Sequence, residues 1–531
     1  RSAPEGARPL IRRGLTVVLF RAGLGLTFLA AFLSLAVQLR ELVGTRGLLP
    51  LGEFLDRYRA SGAPLLARLY HVPTVFWAAR ADALLTALPL LGAALAIALT
   101  LGVGGRAVPI ALWALYLSCI TAGRDFFYYQ WDNLLLEASF LAIFLPARGS
   151  LFDLARGRRP PEPSRLVVFL LQWLLVRLLF ESAMAKILYG QEDWLTLRGM
   201  TYYYETAPLP SWGGWFVQQF PLWFHQGSVL FTFLVELVLP CCIFLPRPFR
   251  RVFFVLHLPF QMSIGLTSNY GFFNLLSIAL SILVLDDADL ERVGRFTGRL
   301  ARRIAPRLLG RGGEGPAPPG GERAGGPVAG PGGVAPSLAV RLGAWVLAGC
   351  IVPASLFEAS SYLVRGAGID EALAPWRALY APFRSINVYH LFPGIVRERI
   401  VAEIEETADG VSFSPCRLRY APGDPKTPPP MTWLHNPRFP FHYSFLTLGR
   451  GRRDEEYMNN LAQRLCCDPQ AAAPFFEPQP ALAERPAALR LSYYRYRFGT
   501  WDDLSRTGVY WLREPVGQPS RPVACRCAGN P

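Results

Sequence analysis

The stretch YYQWDNLLLEASFLAIFLP, residues 128–146, decides the class of the fold. Most of it is apolar, and it is long enough to cross the ~30 Å hydrocarbon core of a membrane as a helix. Asp132, Asn133 and Glu137 nevertheless lie within it. A charge at the centre of a bilayer is costly unless it is paired, so such residues face a bundle interior or an aqueous cavity. The stretch therefore predicts one span of a helical bundle whose neighbouring spans supply partners for these groups.

The whole chain has the composition of a multi-pass membrane protein. Of its 531 residues, 52% are hydrophobic and only 18% are charged. The net charge of +15 comes almost entirely from arginines that flank apolar runs, which favours the positive-inside pattern of membrane proteins over nucleic-acid binding. Nine spans are predicted, at 14–38, 83–102, 106–122, 127–146, 165–188, 228–245, 251–267, 272–286 and 340–358.

The arginine content of the connections predicts the orientation of the bundle. The connections 147–165, 246–251 and 286–341 are rich in arginine, whereas 189–227 contains only one. This distribution predicts a cytoplasmic N-terminus and an exoplasmic C-terminal region, in the ER lumen or the bacterial periplasm. The connection 39–82 is an exception, because it carries six arginines on the predicted exoplasmic side.

The predicted fold is a multi-pass α-helical membrane domain followed by a small β-rich exoplasmic domain. In the exoplasmic part, the residues around Asp409-Gly410 predict a hairpin, and 488–500 and 508–517 read as two more strands. Five cysteines lie in this part, so at least one is unpaired within the chain. The predicted domains are 1–290 (helical membrane domain), 291–337 (Arg-rich, then Gly/Pro-rich cytoplasmic linker), 338–360 (last span) and 365–531 (soluble domain).

Catalytic signatures are missing from the sequence. It has no G-x-S-x-G nucleophile elbow, no HExxH, no C-x-x-C pair and no Walker A loop. The six histidines show no metal-binding spacing. We therefore expect no metal, no cofactor and no enzymatic activity.

The polar residues of two neighbouring spans are expected to pair. Arg177 and Glu181 lie four residues apart in the span after Glu137, on one helix face, and Lys186 lies nearer its exoplasmic end. A cytoplasmic loop joins the two spans, so they are expected to be antiparallel, with Glu137 and Arg177 at compatible depths as a buried pair. Asp132 is predicted near the exoplasmic surface with a separate partner. A structural role and an active or ligand-binding role both remain open for this set: Trp131, Asp132, Asn133, Glu137, Arg177 and Lys186.

Residues 193–226 form a connection dense in Trp, Tyr, Phe and Pro. Amphipathic aromatic rings are favoured at the headgroup level of a membrane, which is one interpretation. Exposed aromatic surfaces also mark protein interfaces, which is the alternative.

Several motifs, in order along the chain, resemble those of the lipase maturation factor family, which comprises membrane chaperones of the ER and bacterial relatives. They are QWDNLLLE (130–137), VRLLFESAMAK (176–186), YYYETAPLP (202–210), VELVLP (235–240), SNYGFFNLLS (268–277), INVYHLFPGIVRER (386–399) and YYRYRF (493–498). The motif positions of most interest outside the first three stretches are Asn269, Tyr270, Asn274, Asn387, Tyr389 and Arg399.

The resemblance implies a chaperone that assists the folding, maturation or assembly of secreted proteins such as lipases, in contact with membrane lipids but not with nucleic acid. It implies the ER membrane in a eukaryote or the inner membrane in a bacterium, and the arginine-rich, lysine-poor composition favours a bacterial host. Where the family has His and Gln in its loop, this chain has Tyr203 and Ala207, and 437–441 departs from the family's Pro-Arg-Leu-Asp-Trp segment. The loop residues with an implied client-binding role are Tyr202, Tyr204, Glu205, Thr206, Pro208 and Pro210.

The membrane half is also similar, more distantly, to the membrane domains of vitamin K-dependent γ-carboxylase. That similarity implies the alternative of a membrane enzyme acting on lipid or quinone substrates, with Lys186 as its candidate base. A purely structural scaffold is the third hypothesis.

Overall fold

The computed structural model describes residues 12–190, 192–295, 338–364, 367–448, 454–478 and 486–527. Most of the predicted linker therefore lies outside the described residues.

Each of the nine predicted spans contains a helix, but the helices differ in length. Ala107–Ala122 and Phe273–Ile282 are apolar but shorter than a full span. Five helices are long and apolar enough to cross a membrane: Gly14–Ala36, Asp82–Leu101, Arg165–Tyr189, Leu222–Phe244 and Arg341–Val364. The helices of the first 295 residues are α1 Gly14–Ala36, α2 Leu39–Val43, α3 Leu51–Ala60, α4 Leu65–His71, α5 Asp82–Leu101, α6 Ala107–Ala122, α7 Gln130–Ala142, α8 Leu151–Ala155, α9 Arg165–Tyr189, α10 Glu192–Leu195, α11 Gly199–Thr206, α12 Trp212–Gln218, α13 Leu222–Phe233, α14 Arg247–Thr267 and α15 Phe273–Ile282.

The span predicted at 127–146 is shorter than expected. Helix α7 has 13 residues, about 20 Å at 1.5 Å per residue, which is less than the thickness of the hydrocarbon core. It begins only at Gln130 because Tyr128 and Tyr129 have non-helical dihedral angles. Most of its side chains are buried, so α7 is a short helix inside the bundle.

The bundle has two ends with different neighbours. At one end, the backbone N–H of Arg13 donates to Glu162 at 3.0 Å and that of Asp287 to the carbonyl of Arg12 at 3.0 Å. At the other end, the Ser34 hydroxyl lies 3.0 Å from Nδ1 of His435. The C-terminal region therefore covers the end at which α1 finishes.

Helix α13 changes its winding before it ends. It continues as a π turn, Leu234–Val238, and then as a 3-10 helix, Leu239–Phe244. Pro240 lies in the last part and cannot donate a backbone hydrogen bond. The π turn carries Glu236, which is buried.

The C-terminal region starts with a helix on the outside of the bundle and ends in a small antiparallel sheet. The strand order is β2-β1-β3-β4, with β5 also paired to β3, and Ile404 is opposite Cys416 in one register and Leu491 in the other. Its elements are α16 Leu338–Val364, α17 Ala367–Tyr380, β1 Arg399–Thr407, β2 Ser414–Cys416, α18 Arg438–Tyr443, α19 Asp454–Cys467, α20 Pro469–Ala472, β3 Ala488–Phe498, α21 Trp501–Thr507, β4 Trp511–Pro515 and β5 Val523–Ala524.

The predicted hairpin and the two further strands are present. The turn between β1 and β2 contains Gly410, whose φ of +77° suits glycine. Asp409 accepts the backbone N–H groups of Val411 and Ser412, and these bonds lower the pKa of its carboxyl. Helices α18 to α21 lie between the strands in chain order, so the C-terminal domain is a small mixed domain built on β-structure.

Two disulfides connect the end of α19 with the residues just after β5. Cys466 is bonded to Cys525 and Cys467 to Cys527, while Cys416 is a free, buried thiol. The expectation of an unpaired cysteine in this region is confirmed.

Candidate functional site

Asp132 lies beneath the C-terminal domain and is fully buried. Arg438 of α18 donates two hydrogen bonds to its carboxylate, at 2.5 and 2.7 Å, and the Tyr116 hydroxyl donates a third at 2.6 Å. The guanidinium carbon is 4.5 Å from the ring centre of Phe127 and 5.7 Å from that of Trp131. The predicted position near a surface needs correction, because the C-terminal domain covers this end of the bundle. The predicted separate partner is confirmed.

Glu137 and Arg177 form the ion pair that the sequence predicted, and both are buried. The pair also binds the C-terminal domain. Glu137 Oε2 accepts the Asn387 backbone N–H at 3.1 Å, the Asn387 side-chain amide at 3.0 Å and the Tyr389 hydroxyl at 2.9 Å. Arg177 donates to the Asn387 carbonyl at 2.9 Å. Two family-motif residues therefore complete the coordination of this pair.

Lys186 is also paired. Its ammonium donates to Glu236 of the π turn at 2.7 Å and to the carbonyl of Leu391 at 3.0 Å, and it lies 5.3 Å from the ring centre of Trp194. The change of winding in α13 places Glu236 within reach of this ammonium. The lysine that the enzyme alternative requires as a base is thus held by a carboxylate and a carbonyl.

Asn133 contacts Arg384, which lies two residues before the motif segment 386–399 of the C-terminal domain. Its side-chain oxygen accepts from Arg384 at 3.3 Å, and the same guanidinium donates to the Phe127 carbonyl at 2.8 Å. All six polar residues predicted in the two spans therefore lie against residues of the C-terminal region.

The loop after α11 receives the first strand of the C-terminal domain. Arg399 donates to the carbonyls of Glu205 at 2.8 Å, Ala207, and Pro208 at 3.3 Å. Burial lowers the pKa of Arg399 to about 10. The Glu205 carboxylate accepts the backbone N–H of Phe498 at 2.6 Å, and burial raises the pKa of Glu205. The loop is a contact between two parts of the same chain.

The predicted client-binding residues differ in exposure. Tyr204 is only 4% exposed and Pro210 is buried beside Ser268. A client therefore cannot reach Tyr204 in this arrangement. The four members that keep partial exposure are Tyr202, Glu205, Thr206 and Pro208.

Asn269 links three loops of the chain. Its amide nitrogen donates to the carbonyls of Pro430 at 2.8 Å and Leu209 at 3.3 Å, and its oxygen accepts the backbone N–H of Thr432 at 2.9 Å. A single buried amide therefore fixes the C-terminal domain to both the α11 loop and the turn before α15.

Tyr270 and Asn274 have internal roles. The Tyr203 hydroxyl donates to that of Tyr270 at 2.9 Å, and the Phe392 ring lies 4.7 Å from the Tyr270 ring. Asn274 donates to Gln261 at 2.8 Å between α15 and α14. Tyr203, which replaces the family's loop histidine, thus keeps a polar contact.

Two of the six arginines in residues 39–82, Arg46 and Arg57, bind acidic residues of the C-terminal domain, and the sequence did not reveal these contacts. Arg57 donates to Glu456 of α19 at 2.6 Å, Arg124 donates to the same carboxylate at 2.7 Å, and Arg46 pairs with Asp468. Hydrogen bonds from Arg124 and then Arg57 lower the pKa of Glu456 to about 2. The sequence showed an excess of arginine on the exoplasmic side, where membrane proteins normally have few, but it did not show which acidic residues bind these arginines.

Comparison with known proteins agrees with this two-part organisation. A family model described as the lipase maturation factor transmembrane domain matches residues 15–292, and one described as the lipase maturation factor C-terminal domain matches residues 385–520. No solved structure matches the chain.

Curated relatives carry the same family name. Lipase maturation factor 2 of Mus musculus is 39% identical over 287 residues, which cover 51% of this chain but only 40% of that protein. Lipase maturation factor 1 of Bos taurus is 29% identical over 526 residues, covering 96% of this chain and 88% of that protein. The chain thus spans well under half the length of the lipase maturation factor 2 relatives it matches. From both family models and these relatives, the chain belongs to the lipase maturation factor family.

Proposed function

We propose that this chain is a membrane chaperone that assists the maturation of secreted proteins, lipases among them. The observation that carries the proposal is that both domains of the family are matched in order and that the polar motif residues build the interface between them. Polar motif residues that hold two domains together are consistent with a protein that binds other proteins. The ion-paired state of Lys186 also supports a non-enzymatic role.

The C-terminal domain faces the ER lumen or the periplasm in this proposal. Two arginine-rich connections, 147–165 and 246–251, lie at the opposite end of the bundle, where the positive-inside rule expects the cytoplasm. The two disulfides support the same orientation, because disulfides persist in oxidising compartments.

The proposed client surface is an aromatic row that combines both domains. Phe216 of α12 is central, with its ring centre 5.7 Å from Trp212, 5.5 Å from Phe220 and 5.8 Å from Trp501 of α21. Trp212 and Trp501 are about half exposed. An exposed aromatic patch of this kind marks a protein interface or a membrane-headgroup contact. The contribution of Trp501 from the C-terminal domain favours a protein partner.

Site-specific photocrosslinking in intact membranes tests this proposal. A crosslinker at Trp212 or Trp501 is expected to capture secreted proteins, whereas one at the buried Tyr204 captures none. Trp376 of α17, which is also exposed, serves as the matched position outside the row. Recovery of lipids alone from Trp212 and Trp501 would contradict the proposed surface.

Lipase activity supplies the functional readout. Trp212→Ala and Trp501→Ala are expected to lower the secreted activity of client lipases, while Trp376→Ala leaves it unchanged. Equal lipase activity with all three variants, at equal protein abundance, would show that the aromatic row does not bind clients.

A further inference from the structure

Helices α7 and α9 form a cleft that holds residues 387–391 mainly by their main chain. These residues form neither helix nor strand, so their backbone groups need other partners. Four N–H groups find acceptors on side chains of the two helices. The donors are Asn387, Tyr389, His390 and Leu391, bonded respectively to Glu137 (3.1 Å), Glu181 (2.8 Å), Gln130 (2.8 Å) and Ser182 (3.3 Å).

The same cleft supplies donors for the carbonyl groups of the segment. Arg177 donates to the Asn387 carbonyl at 2.9 Å, and Lys186 donates to the Leu391 carbonyl at 3.0 Å. Gln130 donates to the His390 carbonyl at 3.2 Å. Every polypeptide carries these backbone groups, so the cleft recognises a feature that is independent of side-chain identity.

The bound segment is strained at both boundaries. Arg384 has a φ of +50° and Phe392 a φ of +51°, a region that residues other than glycine rarely occupy. Such strain occurs at ligand clamps and switch regions, where surrounding contacts enforce it.

The cleft also keeps unused hydrogen-bonding capacity. Among the described residues, Oε1 of Glu181 and Nε of Arg177 have no hydrogen-bond partner although both side chains are buried. Asn387, Val388 and His390 are only half-buried, so part of the segment is exposed at the surface. A ligand with one more donor or acceptor than the present segment could satisfy these atoms.

We propose that the cleft between α7 and α9 is a binding site for non-helical polypeptide, filled in cis by residues 387–391, which a segment of a client protein can replace. The inference rests on the proposed function for its client but not for the cleft itself. Main-chain recognition gives low sequence specificity, while the Tyr389 hydroxyl and the Asn387 amide, both bonded to Glu137, add a preference for Asn-x-Tyr.

A peptide-binding measurement on the full chain in lipid nanodiscs tests the inference. The probe is a fluorescent peptide with the sequence of residues 384–392. In the variant Asn387→Ala/Phe392→Ala, the resident segment loses its amide contacts and its ring contact with Tyr270. This variant is expected to bind the peptide at least about tenfold more tightly than the wild type, because the competing segment is weakened. Gly394→Ala is the control, since an added Cβ there meets no atom within 4 Å.

Peptide N-methylation separates main-chain recognition from non-specific adhesion. N-methylation at Tyr389 removes the donor to Glu181 and is expected to weaken binding about tenfold or more. N-methylation at Val388 is the matched control, because its N–H donates to no described residue. Equal binding of the two N-methylated peptides, or no binding to a correctly folded double variant, overturns the inference.

Hydrogen exchange on the wild-type chain decides the question if the double variant does not fold. Amides of 387–391 are expected to exchange through local opening, faster than those of β1. Exchange of both sets at one common rate overturns the inference. Peptide binding is measured without any lipase, so a failure to bind the peptide leaves the proposed chaperone function intact. Conversely, peptide binding by a chain that has no effect on client lipases would support the cleft and contradict the chaperone function.

Discussion

The substitution Arg438→Met removes the cation from a carboxylate that has no access to water. Of its hydrogen bonds to described residues, the Asp132 carboxylate then keeps the one from Tyr116. Breaking one side of a buried ion pair costs about 3–5 kcal/mol, because the remaining charge stays desolvated. At about 1.4 kcal/mol per factor of ten, the C-terminal domain is expected to detach from this end of the bundle about 140- to 3,700-fold more often.

Hydrogen exchange of α18 measures that opening. The backbone N–H of Phe441 donates to the Pro437 carbonyl at 3.1 Å, so its exchange reports local opening of the segment that carries Arg438. In nanodiscs at constant pH, this amide is expected to exchange faster in Arg438→Met by the factor given above.

Two comparisons make the prediction refutable. The double variant Asp132→Leu/Arg438→Met removes both charges but leaves the buried Tyr116 hydroxyl without its acceptor, so it is expected to open less often than the single variant while staying about 1–3 kcal/mol less stable than the wild type. Arg46→Met breaks an exposed pair with Asp468 and is expected to cost at most about 1 kcal/mol. A less than tenfold effect of Arg438→Met, or a double variant as labile as the single one, would refute the reasoning.

Three further predictions concern the C-terminal domain. The pKa of Glu456 is lowered to about 2 from 4.5 by the hydrogen bond from Arg124 and by its other arginine contact. Its stabilising effect is therefore complete above about pH 4.5 and is lost as the pH falls towards 2, so thermal unfolding curves of the wild type and Glu456→Gln should converge over that window; a constant difference would argue against the assignment. Arg399→Lys loses the fork that reaches three carbonyls, and a loss of about 1–3 kcal/mol is expected in denaturant unfolding, whereas an unchanged midpoint would mean that the loop does not hold β1. Replacing all four of Cys466, Cys467, Cys525 and Cys527 by serine opens a loop of 60 residues and should destabilise the domain by about 2–4 kcal/mol in denaturant unfolding. Replacing only Cys466 and Cys525 leaves the loop closed by Cys467–Cys527 and should cost clearly less, so equal losses in the two variants would contradict the loop-closure explanation.

The part of the site that could be predicted from the sequence follows from the helical periodicity of neighbouring spans. Glu137 and Arg177 belong to consecutive predicted spans, 40 residues apart in the chain, and the helical spacing of the two spans with one connection between them fixes their relative depth. The same reasoning gave Asp132 a partner of its own. It could not name Arg438, 306 residues away, because no local pattern specifies which distant segment will pack on the end of a bundle.

The strands and the short helix show the same division. Asp409-Gly410 predicted the β1–β2 turn because glycine at positive φ and aspartate accepting nearby N–H groups are local chemistry. The predicted length of α7 was wrong, because hydropathy does not reveal that the dihedral angles of Tyr128 and Tyr129 are non-helical. The Tyr204 ring packs against Tyr203 and His225 within the same connection, and aromatic composition alone does not reveal that burial.

The distance in sequence between Asp132 and Arg438 also sets a delay in time. Synthesis at about 5–20 residues per second separates the appearance of these two residues by roughly 15 to 60 seconds. During that interval the carboxylate is already in the nascent bundle, with the Tyr116 hydroxyl as the partner made before it. Glu137 gains Arg177 after only 40 residues. During synthesis, the Glu137–Arg177 pair therefore forms early, whereas Asp132 has no arginine partner until the C-terminal domain is made. Slower translation would prolong the state in which Asp132 is unpaired with Arg438.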